Sequence, residues 1–209
     1  GLGGKKAPFL SYEDFIKLFR EYPMTCANVE IKGTIEQENA LPPQTKPSIV
    51  EQLVKYTPSD VRDRIIWSSF STEMITELKK INPQARVAQL FCALKAEETV
   101  IFKGRTDRYL QFTRKNLERI YETVPLDAAH VEISTLTDND ALLFCRDNHI
   151  HIRTWALWER NPENNTDAFR QIQKIKLLRD KYPEMQFDII TDYAKSVERI
   201  LRRLQLNMS

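Results

Sequence analysis

Ile65-Ile66-Trp67-Ser68-Ser69-Phe70 is a short, mostly apolar run that ends in two serines and a phenylalanine. Ser71 follows as a candidate N-cap, Glu73 places an acid in the first turn, and an amphipathic stretch continues to Ile81. Asn82-Pro83 breaks that stretch, and Val87-Ala88-Gln89-Leu90-Phe91 makes a second apolar run. Strand, helix and strand in so short a span predict two parallel strands joined by a right-handed crossover.

The same unit repeats outward in both directions. Strands are expected over Asn28–Lys32, Ile65–Ser69, Val87–Phe91, His130–Ser134, Ile150–Ala156 and Phe187–Thr191. Helices are expected near Tyr12–Glu21, Ser48–Lys55, Ser71–Ile81, Tyr109–Thr123, Asp138–Asp147, Ala168–Lys181 and Ala194–Leu204. Ser11 is a candidate cap for the first helix, and Thr137 or Asp138 for the one ending before Asn148. The strands are rich in Val, Ile and Phe, as strands covered on both faces should be. Alternating strand and helix define an α/β fold, either an open doubly wound sheet or a closed TIM-type (β/α)8 barrel. Six units in 209 residues suit a barrel whose first two units are missing, a single domain over 1–209. The stretch 92–108 is long for a βα loop, and such loops cover active sites in barrels.

Composition narrows the function classes. Hydrophobic residues make up 42% and charged residues 29%, the balance of an ordinary globular domain. Net charge is only +2 with both signs interspersed, which argues against a nucleic-acid-binding surface. No apolar run approaches the roughly 18 residues of a membrane span. Cys26, Cys92 and Cys145 lack CxxC spacing and suit reduced thiols, a weak lean toward a cytoplasmic setting. The chain opens Gly1-Leu2-Gly3-Gly4 with no initiator Met, the opening expected of a processed product or fragment.

Polar residues recur at the carboxyl ends of the expected strands, where parallel α/β folds gather functional groups. The densest cluster is Asn28-Val29-Glu30-Ile31-Lys32-Gly33. Strand alternation puts Glu30 and Lys32 on one face. There the carboxylate could hold a hard divalent cation and the ammonium a phosphate; the bland alternative is a mutual ion pair on an edge strand. Glu132 ends a strand and could face the mouth or pair with a neighbouring cation. Asp192 could serve the site or cap the last helix. His130 is expected at the amino end of its strand, on the rim away from chemistry, with His149 in a turn and His151 early in a strand.

Asn28-Val29-Glu30-Ile31-Lys32 resembles an inner strand of the glycerophosphodiester phosphodiesterase family, a TIM barrel of the phospholipase-C-like superfamily. Ile65–Phe70 followed by Asn82-Pro83-Gln84-Ala85-Arg86-Val87 is similar to its "Ser-Ser-Phe … Asn-Pro … Arg-Val" stretch. Ile150–Ala156 resembles its "Val-x-x-Trp-Thr" strand with Trp and Thr exchanged, and Phe187–Tyr193 its closing "Asp-Gly-Ile-Ile-Thr-Asp-Tyr-Pro". The resemblance runs over roughly residues 8–205, the carboxyl-terminal three quarters of such a barrel. It implies metal-assisted hydrolysis of glycerophosphodiesters to glycerol 3-phosphate and an alcohol, a step of lipid metabolism. Carried over are Glu30 as a ligand of Ca²⁺ or Mg²⁺, Lys32 as the catalytic lysine at the phosphate, and Trp155 as a substrate-binding wall; Glu132 is added as a second substrate contact. The family's His-Arg-Gly strand, Glu-x-Asp strand and His-Asp pair have no counterpart here. The expectation is therefore a hydrolase fold whose 209 residues alone are inactive, or else a degenerate barrel that serves as a binding or scaffold module.

Overall fold

A computed structural model describes residues 10–33, 48–92, 99–102, 105–108, 110–155 and 165–206. The elements are α1 (Tyr12–Glu21), β1 (Ala27–Glu30), α2 (Ile49–Tyr56), α3 (Ser59–Arg62), β2 (Ile65–Ser69), α4 (Thr72–Ile81), β3 (Arg86–Phe91), β4 (Thr99–Phe102), β5 (Arg105–Arg108), α5 (Arg114–Thr123), β6 (Ala128–Glu132), α6 (Asp140–Asp147), β7 (His151–Trp155), α7 (Thr166–Lys181), β8 (Phe187–Ile190) and α8 (Ala194–Leu206).

Six strands form one parallel sheet in the order β1-β2-β3-β6-β7-β8. Chain order and spatial order agree, as in a barrel and unlike a doubly wound sheet, whose order reverses at a switch point. Within the expected 92–108 loop, β4 and β5 pair as a separate antiparallel two-stranded sheet. Residues 93–98 and 103–104 lie outside the described residues.

Side-chain alternation divides the sheet into two faces. Trp67, Val87, Phe91, Ala129, Val131, Ile152 and Phe187 join one large core with Ile16 and Phe19 of α1, Met74, Ile75 and Leu78 of α4, and Leu117 and Ile120 of α5. The opposite face carries a small cluster of Ile66, Ala88 and Ala128. That second face is concave. The rings of Phe70, just past β2, and Trp155 of β7 meet edge-on with centroids 6.0 Å apart. Two strands separate β2 from β7, which would put them about 14 Å apart in a flat sheet.

Capping explains where the helices begin. Ser11, Ser71 and Thr113 each accept a backbone N–H of the first turn, and Ser48 makes a reciprocal capping box with Glu51. Thr113 at the cap shortens the helix expected from Tyr109. Asn139, with its side chain on the amides of Ala141 and Leu142, takes the capping role expected of Thr137 or Asp138. Arg64 ties α1 to the sheet: its guanidinium lies 4.1 Å from the Phe19 ring and donates to the carbonyls of Tyr22 and Thr25. No described strand pairs with the outer edge of β1 or of β8.

Candidate functional site

Cα partners across the sheet define which side chains share the concave face. One row runs Glu30, Ser68, Ala88, Ala128 and His151. The next runs Leu90, His130, Arg153 and Asp188, and a third Glu132, Trp155 and Ile190. Glu30, Glu132 and Trp155 therefore stand on one face at the carboxyl-terminal ends of their strands, with Lys32 beside Glu30.

Glu30 and Lys32 form an ion pair, Nζ to Oε1 2.7 Å, with side chains 33% and 65% exposed. At that exposure the pair contributes little to stability, and its ammonium is open to solvent. Glu132 accepts the Ser134 hydroxyl at 2.5 Å. Trp155 is held rigidly: its indole Nε1–H is shared between the Phe91 carbonyl (3.2 Å) and the His130 carbonyl (3.3 Å). With the ring fixed from behind by β3 and β6, and Phe70 edge-on at its side, an aromatic wall stands over the concave face. Asp192 follows β8, where the Thr191 hydroxyl accepts the Tyr193 N–H.

His130 departs from expectation. The strand begins at Ala128, not at His130, because Ala128 and Ala129 are small enough to enter the sheet on its two packed faces. The imidazole accordingly sits mid-strand on the concave floor, fully buried, and neither ring nitrogen has a hydrogen-bond partner. Burial, then the Arg153 guanidinium, push its pKa from 6.5 down to about 3. Arg153 itself lies 3.3 Å from the Asp188 carboxylate. His149 occupies the turn before β7 with φ 55°, and His151 stands at the amino end of β7, in the same cross-sheet row as Glu30 but four strands away from it. Sequence reasoning missed Phe70, His130 and Arg153 as concave-face residues; period-two counting from the true start of β6 would have found His130.

The family resemblance implies a divalent cation. Among the described residues no three His, Cys, Asp or Glu side chains converge on one point, and the Glu30 carboxylate is engaged by Lys32. Ca²⁺ or Mg²⁺ takes roughly six to eight oxygen ligands, commonly with more than one carboxylate. The donor set of the described residues does not fit such an ion by itself.

A curled, six-stranded parallel sheet with helices on its outer face and polar side chains at the carboxyl-terminal mouth defines a partial TIM-type barrel. The sequence matches no protein-family model and no curated protein. Solved structures do share the fold. A candidate glycerophosphodiester phosphodiesterase from Galdieria sulphuraria is 14% identical, with TM-score 0.60 over 91% of this chain and 63% of its own. A candidate glycerophosphoryl diester phosphodiesterase from Silicibacter pomeroyi is 14% identical, with TM-score 0.62 over 93% and 56%. A glycerophosphodiester phosphodiesterase from Parabacteroides distasonis is 13% identical, with TM-score 0.54 over 94% and 64%. This chain thus spans about three fifths of their length. Among the described residues no helix is long and apolar enough to cross a membrane.

Proposed function

We propose that the concave rim is the phosphate-facing part of a phosphodiester-hydrolase site of the glycerophosphodiester type. The supporting observation is that Lys32, paired with Glu30 just past β1, and the immobilised Trp155, at the end of β7, both stand at carboxyl-terminal strand ends of a fold shared with three such proteins. In this reading the exposed Lys32 ammonium neutralises a phosphoryl oxygen, and Glu30 keeps the ammonium aimed. The Trp155 face packs against the polyol carbons, and Glu132 accepts from a substrate hydroxyl. The partner is a small-molecule diester.

Proton transfer is where the described residues fall short. General acid–base work needs groups within hydrogen-bond reach of the reacting atoms. His130 is buried and neutral on the floor, His149 is in a turn, and His151 is at the amino end of β7, four strands from Glu30. We therefore propose that the 209 residues alone bind but do not turn over. Incubation with glycerophosphocholine should release no glycerol 3-phosphate above a Glu30→Gln control. Release above that control would overturn the proposed inactivity. Glycerol 3-phosphate binding without turnover is also what a binding module would show, and the mutual Glu30–Lys32 pair favours that second reading.

A further inference from the structure

A polar side chain lies where the sheet should be purely apolar. On β3, Val87 and Phe91 face the helical core, and Gln89 between them faces the same way with no solvent exposure. A buried amide persists only if its hydrogen bonds are satisfied. Gln89 meets that demand at the carboxyl-terminal rim. Its Nε2 donates to the carbonyls of Phe70 (2.9 Å), Leu90 (3.1 Å) and Ser69 (3.3 Å), and its Oε1 accepts the Thr72 hydroxyl at 3.0 Å. The web continues to β1. The Ser69 hydroxyl donates to the Ile31 carbonyl at 2.8 Å and accepts the Ser71 N–H at 3.1 Å.

These contacts reach both halves of the rim. Ile31 lies between Glu30 and Lys32, so the peptide carrying the charged pair is held by Ser69. Phe70 is the residue whose ring meets Trp155, and its carbonyl is held by Gln89. Neither Gln89 nor Ser69 points at the concave face. We propose that Gln89 is a positioning residue of the concave site: it fixes the turn after β2 so that Phe70 meets Trp155, while Ser69 fixes the charged pair on β1. Positioning shells of this kind act through geometry, since buried hydrogen bonds hold rotamers and backbone within the tolerance a site requires. The proposal rests on the ligand reading above for its binding arm alone; its spectroscopic arm stands without it.

The test uses the full chain and two separate readouts, the indole N–H resonance of Trp155 and titration with glycerol 3-phosphate. Gln89→Leu is expected to move the Trp155 resonance and to weaken binding about tenfold, the loss of roughly one to two hydrogen bonds. Ser69→Ala is expected to weaken binding comparably and leave the Trp155 resonance in place. Ile172→Ala, a truncation in the separate core cluster between α7 and α8, controls for lost stability and should change neither. If Gln89→Leu fails to fold, Thr72→Val removes the hydroxyl held by Gln89 Oε1 and should move the same resonance by a smaller amount. A Trp155 resonance and affinity in both rim variants matching those of Ile172→Ala would overturn the proposal. Should the unaltered chain bind no glycerol 3-phosphate, the phosphodiester reading falls, and positioning is judged on the Trp155 resonance alone.

Discussion

The two faces of the sheet obey different rules. The outer face is mostly apolar: Trp67, Val87, Phe91, Val131 and Ile152 pack fully buried against α1, α4 and α5, and its buried polar side chains Gln89 and Ser69 are hydrogen-bonded. The concave face buries Ser68 and His130 without hydrogen-bond partners and keeps Arg153, Glu132 and Lys32 polar toward the mouth. Stability lives on the first face, and the second carries polar groups that a stability-only sheet would replace. Unsatisfied buried groups are expensive; among the described residues the Trp67 indole N–H is the outer-face case, while Ser68, His130 and Arg153 gather on the concave face and mark it as the face kept for chemistry or binding.

That contrast can be broken by substitution. The largest effect of a substitution at neutral pH is expected on the outer side: Leu78→Ala, fully buried in α4, should destabilise by about 3 kcal/mol in urea unfolding. On the concave floor His130 predicts a pH signature. Its folded pKa, near 3, lies below the unfolded 6.5, so between those values the unfolded chain binds the extra proton. Stability should be independent of this group above pH 6.5 and fall by about 1.4 kcal/mol per pH unit at most below it, levelling near pH 3. His130→Leu should remove that slope; unfolding curves for the two proteins that run parallel from pH 7 to 4 would show the imidazole is solvated after all.

Smaller effects sharpen the comparison. Ser68→Ala deletes a buried hydroxyl without a partner and should be neutral or stabilising by up to about 1 kcal/mol, the opposite sign to truncations on the outer face. Glu30→Gln should change stability by less than about 0.5 kcal/mol, because the pair it breaks is largely exposed. A larger loss would make Glu30 a structural residue.

Much of the fold was legible in the sequence because parallel α/β units repeat a strong signal. All six sheet strands and most helices stand within a few residues of expectation, and Ser11 and Ser71 cap as their chemistry demands. Local ambiguity caused the misses. Ala128-Ala129 carries weak strand preference, so the apolar pattern starts β6 two residues late and puts His130 at its amino end instead of mid-strand. The β4–β5 pair lies in a charged stretch without alternation, which hid it. For the site, the Glu30–Lys32 proximity followed from period-two geometry. The Phe70–Trp155 contact depends on sheet curvature, and the Gln89 web on three strands coming together, so neither can be read from spacing along the chain.

The most direct measurement is a glycerol 3-phosphate titration of the unaltered chain and of Lys32→Met, followed at the Trp155 indole. A shared ligand between the ammonium just past β1 and the ring on β7 predicts a saturable shift in the first protein and at least roughly tenfold weaker binding in the second. No shift at Trp155, or equal affinity in both proteins, would contradict it.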